Sequence, residues 1–195
     1  MDLQSLIASS VYLNRQIESK KQLHWSNDGR VKNAFVALDV ELAEMANTSE
    51  WFKVWKTHRG KHDADKTPRE ILLYEYVDAM DFYLLISNLK NWNHVILNSQ
   101  ADLAKIKQFK KEENLDKQYL ALKRMLFDAY FNHSGDSFNH SWRLFLKFGL
   151  VDFGYTEQEI EQAFNDKNQI NEDRQDQDYY FPRFCKVIFE IIKYE

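Results

Sequence analysis

Apolar residues recur at helical spacing along most of this sequence, and the clearest stripe lies in residues 71–89. At 100° per residue, one narrow helix face carries Ile71, Phe82, Leu85, Ile86 and Leu89. Glu75 and Asp78 fall on the same face, one turn apart. A buried carboxylate without a partner is costly or takes up a proton, so two of them need positive charge nearby. The sequence therefore predicts a helix that carries two acids into a protein interior beside a cation.

The remainder of the chain also reads as helical. Only 5 Gly and 2 Pro occur in 195 residues, too few for the turns of a protein with many short strands. The capping box 67-TPRE-70 marks one helix start, and Thr156 with Glu159 marks another. The pattern predicts helices over 3–20, Asn33 to about Asn47, Thr67 to about Leu89, 117–132, 138–148 (ended by Gly149), and from Thr156 onward. We expect a single all-α domain over residues 1–195, a helical bundle, with an ambiguous tail at 181–195 that suits an appended helix or a strand.

Composition narrows the class of protein. The formal net charge is −4, so no global basic field attracts nucleic acid. The lone Cys185 allows no internal disulfide and fits a reducing cytoplasm. The amino-terminal segment lacks a signal-peptide pattern, and no 18-residue apolar run exists. We expect a cytoplasmic protein with neither a membrane span nor a nucleic-acid partner.

Two pairs of acids carry the strongest chemical signal: 41-ELAE-44 and 75-EYVD-78, each at i, i+3 on its own helix. If these helices pack antiparallel, all four carboxylates converge on one volume. Such oxygen ligands on rigid supports select Mg²⁺ or Mn²⁺, and Mg²⁺ in proteins commonly shares substrate phosphates. Glu41 and Glu44 alone also fit a solvated helix flank, but the four acids together predict a metal site for attack on a phosphoryl group.

A second group of polar residues lies near the end of the last predicted helix. Lys167, Asn171 and Arg174 are spaced i, i+4, i+7 and continue the face of Ile160 and Phe164. Lys and Arg suit phosphate groups, and an Asn amide can read the edge of a base. An ordinary charged helix end fits the same pattern equally well.

Together these motifs resemble a known family. ExxE and ExxD on two helices form the metal signature of the all-α NTP pyrophosphohydrolases, which include MazG-like enzymes. The ordered segments 41-ELAEMANTSEWFKVWK-56, 75-EYVDAMDF-82 and 167-KNQINEDRQDQDY-179 closely resemble the dimeric dUTPases, over roughly residues 10–180. The resemblance implies hydrolysis of dUTP and dUDP to dUMP. It also implies the metal ligands Glu41, Glu44, Glu75 and Asp78.

The same resemblance implies roles for residues around the substrate. It puts Lys167, Arg174 and Tyr179 on the phosphates, Asn171 and Asn14 near the nucleoside, Trp51 or Trp55 along the uracil pocket, and Phe82 beside the base. Two positions depart from the family pattern. Ser10 stands where the family often has Gln, and Asp81 replaces the family's His, which the pattern associates with the 3′-hydroxyl.

These inferences combine into one mechanism with Mg²⁺ (or Mn²⁺) as cofactor. Metal held by the four carboxylates makes a bound water more acidic, and Glu44 is the first candidate to orient that water or take its proton. Two alternatives are a related dNTP pyrophosphatase of the dCTPase or MazG-like kind, and a catalytically silent nucleotide-binding or interaction module. We also expect a homodimer, from the resemblance and because a single layer of helices would struggle to cover Trp25, Trp51, Trp55 and Trp92.

Overall fold

The computed structural model describes residues 1–63 and 65–176, with backbone alone for Gln175 and Asp176. Its helices are α1 Leu3–Lys20, α2 Asn27–Ser49, α3 Pro68–Leu89, α4 Asn93–Ser99, α5 Leu103–Ile106, α6 Asp116–Phe131, α7 Gly135–Lys147 and α8 Glu157–Asp176. A 3₁₀ turn covers Gln100–Asp102. No strand occurs in the described ranges, which confirms the all-α prediction. No helix in them is long and apolar enough to cross a membrane.

Both predicted capping boxes are present. Thr67 accepts a hydrogen bond from the backbone of Glu70, whose carboxylate accepts one in return from the Thr67 N–H at 2.8 Å. Thr156 and Glu159 repeat the arrangement at the start of α8, with 2.7 Å from the Thr156 N–H to Glu159 Oε2. Each box satisfies N–H groups that a helix start leaves without an intrahelical partner, so these two boundaries follow from local sequence.

Two helices begin three or more residues earlier than the periodicity predicted. The second helix starts at Asn27 instead of Asn33, because the Ser26 side chain accepts a hydrogen bond from Gly29 N at 3.1 Å and caps it. The seventh starts at Gly135, where Ser134 is the cap. In both cases a side-chain cap extends the helix beyond its apolar stripe.

The prediction that Gly149 ends α7 was wrong. The chain continues through it as a π-helical turn, Phe148–Asp152. A Cβ at residue 149 would lie only 2.3 Å from Cζ of Tyr76, so only glycine leaves room for the aromatic ring. The ring of Tyr76 is fully buried and stacks on Phe145 at a centroid distance of 4.3 Å. Packing against α3, not the end of a helix, explains this glycine.

The third helix is central and positions the site. It contacts α1, α2, α4 and α8, and residues from every one of these helices enter one hydrophobic core. Helices α2 and α3 run antiparallel: Thr48 at the end of α2 donates to Glu75 near the start of α3, at 3.3 Å. At the other end, Asn27 and Leu89 line one surface pocket. The packing assumed for the two acid pairs is therefore confirmed.

Candidate active site

Three of the four predicted acids meet at the α2–α3 contact. Glu41 from α2 and Glu75 and Asp78 from α3 each offer a carboxylate oxygen, and these oxygens lie within 4.8 Å of one another. We call these three residues the acid triad. Among the described residues they are the group of His, Cys, Asp and Glu side chains placed to hold a metal ion. All three are half-buried, so their mutual repulsion is not fully screened by water.

Glu44 lies outside the triad. Its side chain is exposed, one turn of α2 beyond Glu41. It is still close enough to act on the cluster, since its charge raises the pKa of Glu41, Glu75 and Asp78. The structure thus separates the four acids into three clustered carboxylates and one solvated carboxylate at their edge.

The triad is short of positive charge. Burial, followed by the charges of Asp78 and Glu44, raises the pKa of Glu41 to about 8. Burial also raises the pKa of Glu75 and of Asp78, although nearby lysines oppose both shifts. Lys167 of α8 reaches Asp78 Oδ2 at 2.5 Å. An all-oxygen set with this excess of negative charge fits a hard divalent cation such as Mg²⁺ or Mn²⁺.

A second lysine approaches the triad from the connection between α2 and α3. Lys61 Nζ lies 3.9 Å from Glu75 Oε1, and its backbone N–H donates to the Thr48 carbonyl at 3.0 Å. The connection is held in place by Glu50, a buried carboxylate that accepts hydrogen bonds from Lys56 at 2.7 Å and from the Gly60 N–H at 3.1 Å. Sequence reasoning missed Lys61 because residues 57–66 carry no motif.

A cavity of about 410 Å³ opens beside the triad, between α1, α2, α3 and α8. Most of the predicted substrate residues line it together with Glu41 and Asp78: Asn14, Phe82, Lys167, Asn171 and Arg174. The positive charge of Arg174 lowers the pKa of Asp78, so the cations of α8 gather at the acidic end. The cavity has room for a small ligand, and Glu41, Asp78 and the cations of α8 share one end of it.

The two tryptophans assigned to the uracil pocket are not among the residues that line this cavity. Trp51 packs into the core, stacked on Phe148 at 5.6 Å between ring centroids and edge-on to Tyr119. Trp55 is 73 % exposed. Tyr179, the remaining predicted phosphate contact, lies outside the described residues.

The two departures from the family pattern touch each other. Ser10 on α1 is buried, and its hydroxyl donates to the backbone carbonyl of Asp81 at 3.1 Å. Asp81 lines the cavity, yet its Oδ1 is buried and accepts no hydrogen bond from the described residues. Burial raises the pKa of Asp81 to about 6. A buried acceptor without a donor on a cavity wall suits a ligand that brings a hydrogen-bond donor.

The far end of the cavity holds residues that the sequence analysis did not assign to the site: Glu18, Leu23, Trp25 and Arg30. The sequence did contain a signal for Glu18 and Arg30, namely their spacing from other cavity residues. Glu18 follows Asn14 by one turn of α1, and Arg30 precedes Ala34, another cavity residue, by one turn of α2. Extending the two helix faces by a turn would have found both.

Comparison with known proteins agrees with this geometry. A family model described as dUTPase matches residues 2–179. No match is found among curated proteins. The matched range contains the acid triad and the cations of α8, and the all-α fold agrees with the family. The chain therefore belongs to the dimeric, all-α dUTPase family and is a dUTP diphosphatase, a hydrolase that acts on phosphorus anhydrides.

Proposed function

We infer that the chain hydrolyses dUTP, and also dUDP, to dUMP in a reaction that requires Mg²⁺, with Mn²⁺ as a substitute. The observation that carries this inference is the acid triad: three half-buried carboxylates with raised pKa values, of which Glu41 and Asp78 line a nucleotide-sized cavity. Acceptance of dUDP rests on the resemblance to dimeric dUTPases. The cations of α8 at the same end agree with a substrate that presents its phosphates there.

In this proposal Glu41, Glu75 and Asp78 hold the metal, with Glu44 at the edge of the site. When bound, the metal would supply positive charge to the phosphates and make a water molecule more acidic. Glu44, whose side chain is exposed, would orient that water and accept its proton. An acid outside the triad is suited to this step because its oxygens are not needed as ligands.

Lys167 and Arg174 would bind the phosphates and offset the negative charge that develops on the leaving group. Asn14 and Asn171 face the same cavity and would contact the nucleoside, while Phe82 would lie beside the base. Assigning Tyr179 to the phosphates rests on the family motif alone.

A direct assay tests this proposal. The protein is incubated with Mg²⁺ and, separately, dUTP, dUDP, dCTP or dTTP, and the monophosphate is measured. We expect dUMP from the first two and much lower kcat/KM for the others, since a site that hydrogen-bonds one base edge leaves polar groups unpaired with another. Comparable kcat/KM for dCTP would replace this proposal with a less selective dNTP pyrophosphatase.

We further propose that the chain acts as a homodimer. The tryptophans give weaker support than the sequence suggested, because Trp51 and Trp92 pack against the core. Other exposed apolar residues supply a better reason. The outer faces of α2 and α6 carry Val36, Val40, Leu120, Phe127 and Phe131.

These two faces lie side by side, since Lys123 on α6 donates to the Asp39 carbonyl of α2 at 3.1 Å. A two-fold pair buries the same apolar patch twice. Sedimentation at micromolar concentration should give a dimer that Phe131→Glu dissociates and Leu97→Glu, on α4, does not. A fully active monomer near 23.4 kDa would contradict the proposal.

A cytoplasmic location is also proposed, from the single cysteine of the sequence.

A further inference from the structure

The cavity is long enough to hold a nucleotide along α3, with its base at the end remote from the acids. It extends from Asp78 to Leu89 on that helix, a rise of about 16 Å at 1.5 Å per residue. If the phosphates lie at the acid triad, as the proposed function requires, the base reaches the wall formed by Trp25, Leu85 and Leu89.

Trp25 is held in place on that wall by hydrogen bonds. Its indole Nε1 donates to Glu18 Oε1 at 3.0 Å. Arg30 Nε donates to the same oxygen at 2.9 Å, and Arg30 Nη2 lies 2.9 Å from Glu18 Oε2. The Glu18 side chain is only 13 % exposed. This two-point contact between guanidinium and carboxylate fixes Glu18, and Glu18 in turn fixes the indole.

The surroundings of Trp25 differ from those of the other half-buried tryptophans. Trp51 and Trp92 pack against the hydrophobic core, where rings are used to fill space. Trp25 is not part of that packing, and instead lines the cavity. An aromatic ring held by a half-buried acid at the edge of a cavity is suited to stacking on a flat ligand.

We propose that Trp25 is a base-binding residue, whose indole is the aromatic wall for the nucleobase of a pyrimidine deoxynucleotide. Glu18 and Arg30 are positioning residues that hold the indole. This inference rests on the proposed function, since the phosphates at the acid triad determine which end receives the base. It gives the base pocket an aromatic residue in place of Trp51 and Trp55.

Steady-state kinetics with dUTP and Mg²⁺ test the role of Trp25. Trp25→Ala should raise KM by roughly 10-fold to 100-fold and change kcat by less than about 3-fold, because stacking acts equally on ground and transition states. Trp25→Phe should retain most of the affinity. Phe109→Ala, an exposed aromatic outside the cavity, is the matched control and should behave as wild type.

Binding of dUMP provides a readout that needs neither metal nor turnover. Binding of dUMP should quench the tryptophan fluorescence of the wild type, and Trp25→Phe should lose most of that quenching. This variant keeps the test available if Trp25→Ala fails to fold. Glu18→Ala should weaken binding, and Glu18→Gln, whose amide oxygen can still accept from the indole, should recover part of it. A purely structural role for Glu18 would lower Tm without this recovery in affinity.

The outcomes separate this inference from the proposed function. A wild-type protein that hydrolyses no dUTP refutes the proposed function and removes the basis for this inference. An active wild type with unchanged KM in Trp25→Ala and unchanged quenching in Trp25→Phe overturns the role of Trp25 alone. Loss of quenching in Trp55→Phe, with Trp25→Phe unaffected, would return the base to the residues that the family pattern suggests.

Discussion

Two clusters of buried charge in this molecule are built in opposite ways. In the first, Lys147 donates to Gln118 at 2.8 Å and to both oxygens of Asp152 at 3.0 and 3.1 Å. Gln118 also donates to Asp152, at 2.7 Å, and all three residues are buried. In the second, the acid triad brings three carboxylates together with Lys167 on one of them and Lys61 at the margin.

The difference distinguishes a structural cluster from a candidate binding site. The first, which we call the closed cluster, pairs one buried cation with one buried acid and satisfies both from within the protein. The more exposed Glu112 lies 3.9 Å from Lys147 at its edge. The closed cluster joins α6, α7 and the π-helical turn. The acid triad has more negative charge than its neighbours offset. Burial raises the pKa of all three members, and the neighbouring carboxylates add to the shift, most strongly at Glu41. A buried group with its partners present indicates architecture, whereas a group without enough partners indicates a ligand.

The largest effect should follow substitutions in the acid triad. Glu41→Gln or Asp78→Asn should lower kcat/KM for dUTP by about 10³-fold or more, the scale on which charge-stabilising groups act. Thermal melts of Glu41→Gln without metal should be unchanged or higher, because one of several repelling acids is gone. Full activity in EDTA, or in both variants, would refute the metal site.

A substitution in the closed cluster should have the opposite effect: it should lower stability and leave activity unchanged. Lys147→Met leaves Asp152 buried without its cation and should lower the free energy of unfolding by about 3–5 kcal/mol. Activity per folded molecule should be retained at a temperature where the variant is folded. Chemical denaturation measures the first effect, and Lys110→Met, an exposed lysine, is the control. A loss of less than about 1 kcal/mol would mean that the pair is not a structural element.

The cations at the cavity should have intermediate effects on turnover. Lys167→Ala and Arg174→Ala should each lower kcat and raise KM, because charge develops on the leaving phosphates. In each variant kcat/KM should fall by roughly 10-fold to 100-fold. Steady-state kinetics with dUTP separate the two constants. A higher KM with kcat untouched in both variants would assign them to ground-state binding alone.

The pH dependence of stability should be smaller and of known sign. The folded-state pKa of Glu41 is about 8, above its ordinary value of 4.5, so between these values the folded state holds a proton that the unfolded state has released. Glu41 therefore favours the folded state at low pH, and this contribution is lost as pH rises toward 8. In metal-free protein, urea denaturation should show stability falling from pH 5 to 8 more steeply in wild type than in Glu41→Gln. Equal slopes would contradict the raised pKa.

Local signals were enough to predict most of the fold. The start of α3 follows from the Thr67 capping box, and α1 matches its predicted range of 3–20. Gly149 was misread as a helix end because the contact that requires glycine there, with the ring of Tyr76, comes from a helix distant in sequence. Non-local contacts of this kind leave no periodic trace in the chain.

In the candidate site, too, local spacing predicted some features, and contacts between distant segments determined the others. The i, i+3 spacing, with antiparallel packing assumed, predicted that all four acids converge. Three of them do: Glu41, Glu75 and Asp78. The rotation of α2 about its axis is set by its buried face, which leaves Glu44 exposed outside the triad. Trp51 packs on Phe148, which lies far along the chain, so its position could not be predicted from the segment around it.

Stability as a function of Mg²⁺ concentration tests the central claim, that the acid triad is a site completed by a divalent cation. Purified, metal-free protein is melted at pH 8 across a Mg²⁺ titration, with matched ionic strength from a monovalent salt. We expect the Tm of the wild type to rise with Mg²⁺, because binding to the folded state increases the free energy of unfolding. The rise should be lost in Glu41→Gln and Asp78→Asn. A wild-type Tm that does not change with Mg²⁺, or an equal rise in both variants, would contradict the account.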